Sequence, residues 1–113
     1  MITILIRTLQ RKGGDFLMEI VIEDKAINWF KEEVDCVPGD QIQFHVRYGG
    51  DSAVQQGFSL GFSYGTPTDI AASKKIDDIL FFIESKDIWF FDDHHLHVQY
   101  DETRDEIYYQ YIK

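Results

Sequence analysis

Two stretches of the chain alternate strictly between apolar and polar residues, and this pattern restricts the fold more than any other feature. Every second residue of QIQFHVRY (41–48) is apolar, and FSLGFSYG (58–65) repeats the alternation. A period of two places alternate side chains on opposite faces of a strand, so each stretch predicts a strand with one buried face. Because such a face must be covered by another layer, the sequence predicts a packed, sheet-based domain.

The other segments add one helix and further strands. EDKAINWFKEEVD (23–35) has apolar residues at helical spacing and acidic residues at its N-terminal end, which predicts a helix. Four further strands are predicted at MEIVIE (18–23), ILFFIE (79–84), LHVQY (96–100) and EIYYQYI (106–112). Residues 66–78 are predicted as a polar connection, 85–91 as one helical turn and 92–95 as a turn. The predicted fold is α+β and mostly β, with one N-terminal helix packed on a curled mixed sheet or small sandwich of about six strands.

Charge and cysteine content exclude several classes of function. The net charge of −9 argues against binding to nucleic acid or to an anionic membrane surface, and it indicates either solubility or a basic protein partner. Cys36 is the single cysteine, so no intramolecular disulfide can form, which suits a reducing cytoplasm. No apolar run approaches the ~20 residues of a membrane span. We therefore expect a cytoplasmic protein that binds neither membrane nor nucleic acid.

The first 17 residues differ in charge from the rest, with three basic residues and one acidic residue. One hypothesis is that 1–17 is a translated leader and that the core domain spans 18–113, beginning at Met18. The reason is that the codons for residues 12–15 can contain a bacterial ribosome-binding sequence. The alternative is a genuine N-terminal strand, because ITILI (2–6) has high β propensity.

Four short motifs occur in an order that resembles the HesB/IscA-like domain, the A-type proteins of iron–sulfur cluster assembly. The motifs are AINWF (26–30), RYGG (47–50), GFSLG (57–61) and DIWFFDDHHLHVQY (87–100). The resemblance covers residues 18 to about 112. It implies a HesB-like fold and a non-enzymatic role related to iron–sulfur assembly or iron handling, with the assembly machinery as protein partner. Related domains often form homodimers, so a homodimer is a further expectation.

The resembled family holds iron or a [2Fe–2S] unit through three cysteines, none of which is present here. Asp51 stands at the first of these positions, and residues 101–113 contain no cysteine. Because clusters require thiolate ligands, we expect no cluster in this chain. Two interpretations of Asp51 stay open. It is either a carboxylate ligand for a divalent metal, or a turn aspartate that bonds its own backbone while Gly49 and Gly50 supply positive φ angles.

The segment DDHHLH (92–97) offers the second candidate site. Imidazole and carboxylate groups suit iron or zinc, so an alternative function is a mononuclear metal binder that uses Asp51 with His94, His95 and His97. His95 and His97 share one side if the strand has begun by then. The competing interpretation is a polar hairpin turn in which Asp93 adopts a left-handed conformation.

The remaining candidates are expected to be structural. His45 is predicted on the solvent side of its strand, and Cys36 as a buried or half-buried filler. Packing in the core and on the sheet faces is predicted for six aromatic residues, Trp89, Phe90, Phe91, Tyr108, Tyr109 and Tyr111. A small enzyme is the third hypothesis, although no nucleophilic triad or phosphate-binding loop motif supports it.

Overall fold

The computed structural model describes residues 16–113, which form one α-helix, one 3-10 helix and seven strands. In chain order these are β1 (Ile20–Ile22), α1 (Asp24–Glu33), β2 (Gln41–Asp51), β3 (Gln56–Tyr64), β4 (Ile70–Ile76), β5 (Ile79–Glu84), the 3-10 helix (Ser85–Phe91), β6 (His95–Asp101) and β7 (Glu106–Ile112). The fold is α+β and mostly β, as predicted. Of the segment 1–17, residues 1–15 lie outside the described part of the chain, so the leader hypothesis stays a prediction.

The strands form two mixed sheets. The three-stranded sheet has the order β1-β6-β7, with β1 parallel and β7 antiparallel to β6. The four-stranded sheet has the order β3-β2-β5-β4, in which β2 and β5 are parallel and both outer pairs are antiparallel. Within residues 16–113 no helix is long and apolar enough to cross a membrane.

Helix α1 covers the core and is attached to the three-stranded sheet. Its apolar stripe buries Ala26, Ile27 and Phe30. The Phe30 ring lies between Phe62 and Phe81, with centroid distances of 5.0 and 5.2 Å. Full burial of side chains of this kind stabilises the fold by about 1.5–3 kcal/mol each. The spacing that predicted the helix therefore also identifies the face that packs.

Strand β2 extends well beyond its neighbour β5. It pairs with β5 over Gln41–Gln43 only, whereas it pairs with β3 as far as Asp51. The segments 44–51 and 56–62 therefore continue as a two-stranded hairpin, which we call the hairpin arm. An isolated hairpin of this kind is marginally stable, so it needs support from another element. The 3-10 helix packs beside it, and the Val46 N–H donates to Asp87 Oδ2 at 3.4 Å.

The prediction of a polar connection over 66–78 is wrong, because this segment contains strand β4. This strand pairs antiparallel with β5 at the edge of the sheet, with an irregularity in register between Ile70 and Ala72. Most of its side chains are exposed, including Lys74 and Lys75. Charges and irregular pairing are common on edge strands, where they discourage pairing with other chains. The sheets thus contain seven strands instead of about six.

Aspartates supply the left-handed turns between several elements. Six non-glycine residues of the described chain have positive φ, and all are aspartates: Asp35, Asp77, Asp78, Asp92, Asp93 and Asp105. Asp and Asn adopt this conformation at lower cost than most residues. The prediction that Asp93 is left-handed is confirmed by its φ of 58°.

Candidate functional site

Asp51 closes the turn of the hairpin arm. Its Oδ1 accepts a hydrogen bond from the Gly57 N–H at 2.7 Å. Tyr48 pairs with Phe58 and Asp51 pairs with Gln56, so β2 carries one more residue than β3 at this point and forms a bulge. The predicted positive φ angles of Gly49 and Gly50 are confirmed, at 99° and 66°. This geometry agrees with the interpretation of Asp51 as a turn aspartate.

The three candidate histidines lie around the start of β6. His94 Nδ1 is 2.9 Å from the Phe91 carbonyl oxygen and 2.8 Å from that of Asp92, so the ring holds the turn. His95 Nδ1 accepts from the Glu19 N–H at 3.0 Å. His97 lies two residues further along β6, on the same side as His95. Nowhere in residues 16–113 do three His, Cys, Asp or Glu side chains stand together so that they could hold a metal ion.

Cys36 is a buried filler, as predicted. It is 4% exposed, and its Sγ lies 3.8 Å from the Tyr64 hydroxyl, which in turn donates to the Val34 carbonyl at 2.9 Å. Burial raises the pKa of the Cys36 thiol, so the reactive thiolate is disfavoured. His45 is half-buried beside Gly61, so it is less exposed than the solvent-side position predicted for it.

Two exposed aromatic side chains lie on the hairpin arm and the adjoining 3-10 helix. Tyr48 is 92% exposed and Trp89 is 48% exposed, while Phe58 lies between them. The Phe58 ring centroid is 5.4 Å from that of Tyr48 and 5.2 Å from that of Trp89, the second pair meeting edge to face. We call Tyr48, Phe58 and Trp89 the aromatic ridge. It is the candidate functional site.

The sequence produces this ridge by continuing two local patterns past the core. Tyr48 follows Phe44 and Val46 on one face of β2, but β5 no longer flanks the strand there. In the 3-10 helix, Phe90 and Phe91 point into the core, 0% and 1% exposed, which leaves Trp89 on the outer side. The backbone at Trp89 is therefore held by two buried neighbours, and the backbone at Tyr48 by its pairing with β3.

The predicted packing of the aromatic residues in the core and on the sheet faces is wrong for Trp89. Phe90 and Phe91 are buried, and Tyr111 packs on both at 5.8 and 6.2 Å, as predicted. Trp89 contacts Phe58 on the surface instead, and Tyr108 is 41% exposed. The sequence signal for the ridge was the Gly49-Gly50 pair directly after Tyr48, which marks the place where the alternation leaves the sheet.

A shallow depression of about 520 Å³ lies between the start of α1 and the β6–β7 turn. The polar groups that line it bond to one another. Lys25 forms an ion pair with Glu102, and the Tyr100 N–H donates to Glu23 Oε2 at 3.0 Å. These contacts attach α1 to the three-stranded sheet, so we assign the depression a structural role.

Comparison with known proteins gives clear relatives. The chain is 48% identical to a Bacillus subtilis protein named pyruvate dehydrogenase inhibitor over 94 residues, which are 83% of this chain and 99% of that protein. It is 41% identical to an uncharacterised protein of Staphylococcus saprophyticus over 81% of this chain and 97% of the relative. An uncharacterised Staphylococcus haemolyticus protein is 34% identical over 85% of this chain and 100% of the relative. No protein-family model and no solved structure matches the chain.

These relatives overturn the predicted link to HesB/IscA-like proteins. One of these relatives is named an inhibitor of pyruvate dehydrogenase, and no iron–sulfur assembly family matches. The predicted role in iron–sulfur assembly is therefore wrong. The alternative of a mononuclear metal binder is wrong as well, since the described residues contain no suitable group of ligands. The chain belongs to the family that includes the Bacillus subtilis pyruvate dehydrogenase inhibitor and these staphylococcal proteins.

Proposed function

We propose that this protein inhibits pyruvate dehydrogenase by binding to it, and that it acts as a protein ligand and not as an enzyme. The observation that carries the proposal is the 48% identity to the Bacillus subtilis inhibitor across 99% of that protein's length. We further propose a cytoplasmic location, which a single free cysteine, buried in the fold, favours.

The surface supports a protein ligand in two ways. The net charge of −9 steers the chain toward a partner surface of opposite charge and accelerates association. The aromatic ridge exposes Tyr48 and Trp89, which are residue types enriched at protein–protein interfaces.

The side chains considered for chemistry support a non-enzymatic role. Asp51 and His94 hold turns, and Cys36 is buried with a raised thiol pKa. A catalytic nucleophile or base must be both accessible and activated by its neighbours. None of these three groups meets that requirement, so inhibition by direct binding is the mechanism that the residues favour.

A titration tests the proposal. The full chain is added to purified Bacillus subtilis pyruvate dehydrogenase, and the initial rate of pyruvate oxidation is measured, with the Bacillus subtilis relative as positive control. We expect the rate to fall with added protein until the binding sites are saturated. An unchanged rate at concentrations where the relative inhibits would contradict the proposal.

The same assay separates a ligand from an enzyme. A ligand inhibits in proportion to the fraction of sites occupied, and the activity returns when the protein is removed by size-exclusion chromatography. An enzyme that modifies the dehydrogenase would inhibit at substoichiometric amounts, progressively with time and without recovery. Progressive, irreversible inhibition would therefore refute the non-enzymatic part of the proposal.

A further inference from the structure

We propose that the aromatic ridge is the surface that docks on pyruvate dehydrogenase, inserting into an apolar pocket framed by basic side chains. This inference rests on the proposed function and identifies the part of the molecule that performs it. The exposure, the backbone support and the charge of the ridge favour this role.

The ridge combines exposed side chains with a backbone held by regular structure. Tyr48 is 92% exposed, yet its strand is paired with β3 directly opposite Phe58. Trp89 meets Phe58 edge to face, with an interplanar angle of 85°, and its neighbour Phe90 is fully buried. A backbone that is already ordered lowers the entropy cost of binding, and Tyr and Trp are enriched among binding hot spots.

The other exposed aromatic residues differ in what their side chains do. The Tyr64 hydroxyl donates to the Val34 carbonyl and so holds the segment that follows α1. Tyr108 stands on β7, outside the row of rings formed by Tyr48, Phe58 and Trp89. The Tyr48 hydroxyl, like that of Tyr108, makes no hydrogen bond within the described residues. Tyr48 therefore has an unused polar group at the end of a large apolar surface, as interface tyrosines commonly have.

The charges beside the ridge indicate the chemistry of the partner. Asp51 lies at the tip of the arm, and Asp92 and Asp93 follow the 3-10 helix; all three are exposed. The Asp92 N–H donates to the Trp89 carbonyl at 3.3 Å, which places this aspartate next to the ridge. Arg47 and Lys86 are the exposed basic residues of the same segments, so exposed acidic side chains outnumber basic ones there by three to two. A surface with this acidic excess beside an apolar centre complements a partner with a basic rim.

Two alanine variants and one matched control test this surface. Tyr48→Ala and Trp89→Ala each remove one ring, and Tyr108→Ala removes an exposed ring from β7. We expect both ridge variants to raise Kd for Bacillus subtilis pyruvate dehydrogenase by at least about tenfold, with a parallel rise in the concentration for half inhibition. Tyr108→Ala is expected to stay within about twofold of the wild type. Thermal unfolding of each variant shows whether the fold is intact.

The outcomes separate the two proposals. If the wild type inhibits and both ridge variants inhibit equally well, the docking surface is elsewhere and the proposed function stands. If the wild type neither binds nor inhibits, both proposals fail. Because Trp89 also packs on Phe58 and Phe90, Tyr48→Ala is the decisive variant: its side chain can be removed without opening the core.

Photocrosslinking gives an independent readout. Benzoylphenylalanine at position 48 is expected to crosslink to a subunit of the purified dehydrogenase, whereas the same group at position 108 is not. Binding is also expected to weaken with increasing ionic strength, because a basic rim on the partner attracts the three aspartates. Crosslinking from position 108 alone would overturn the proposed surface.

Discussion

The two ends of the β2–β3 pair have the same pattern and opposite surroundings. Phe44 pairs with Phe62, Tyr48 pairs with Phe58, and all four side chains lie on one face. Phe44 is 0% exposed because Phe30 and Phe81 lie against it at 6.4 and 6.0 Å, whereas Tyr48 is 92% exposed. Alternation therefore determines which face a residue occupies, and the reach of the core residues packed on that face, Phe30 of α1 among them, determines whether it is covered. The end with Phe44 stabilises the fold, and the end with Tyr48 is available for binding.

Phe44→Ala is expected to have the largest effect on stability. The substitution leaves a cavity among Phe30, Phe81 and Tyr109, and we expect the free energy of unfolding to fall by about 3–5 kcal/mol. Urea denaturation measures this loss. Phe44→Leu, which keeps much of the volume, is the control and should cost far less. A loss below about 1 kcal/mol for Phe44→Ala would mean that the buried end of the pair does not carry the core.

Glu84→Gln is expected to have the next largest effect, because Glu84 anchors the body of the four-stranded sheet. The carboxylate is 5% exposed and accepts hydrogen bonds from the Thr68 hydroxyl, the Thr68 N–H at 2.9 Å and the Asp69 N–H at 3.1 Å. These bonds, first of all that from the Thr68 hydroxyl, lower the pKa of Glu84 below its ordinary value of 4.5. A glutamine presents a donor where the Asp69 N–H requires an acceptor, so we expect a loss of stability smaller than that of Phe44→Ala.

The lowered pKa of Glu84 also predicts how the free energy of unfolding depends on pH. Because the pKa of Glu84 is lower in the folded than in the unfolded state, its contribution is fully present above pH 4.5 and is lost as the pH falls through the folded-state value. The difference in unfolding free energy between wild type and Glu84→Gln should therefore be constant near neutral pH and shrink in acid. Glu33→Gln, at an exposed helix position, is the control. A difference that grows in acid would contradict the assignment.

Asp51→Ala tests the turn that holds the exposed end in place. Losing the acceptor for the Gly57 N–H is expected to cost about 0.5–1.5 kcal/mol. Asp51→Asn keeps a side-chain oxygen at the same position, so its effect should be smaller. Denaturation curves of the two variants give the comparison. Equal losses would show that the negative charge, and not the hydrogen bond, stabilises the turn.

The sequence predicts the covered end of the pair better than the exposed end. Alternation identifies β2 and β3, a compact apolar run identifies β5, and helical spacing identifies α1, because these patterns follow directly from the geometry of each element. Strand β4 escapes prediction because Lys74 and Lys75 make it resemble a loop, and only its pairing with β5 shows its role. Trp89 looks like a core residue for a related reason: its exposure depends on the orientation of the 3-10 helix, which is set by tertiary packing.

The wrong prediction of a HesB/IscA-like family also has a physical cause. Motifs such as RYGG and GFSLG describe a strand, a glycine bulge and a second strand, and this geometry can arise in unrelated sheet proteins. The cysteines that carry the chemistry of the resembled family are absent, and Asp51 at the first of those positions is a turn residue. Local shape was predicted correctly, but shape without the reactive atoms does not establish a function.

Tyr48→Ala is expected to have the smallest effect on stability, within about 0.5 kcal/mol, since the ring is almost fully exposed. Thermal and urea unfolding should therefore be close to those of the wild type, while binding to pyruvate dehydrogenase is weakened. A loss of binding without a loss of stability would distinguish the role of Tyr48 most clearly from that of Phe44. A ring that contributed to the fold would lower both stability and binding, whereas a ring kept on the surface for a partner lowers binding alone. A loss of stability comparable to that of Asp51→Ala would show that Tyr48 supports the hairpin arm, and the contrast with Phe44 would become one of degree.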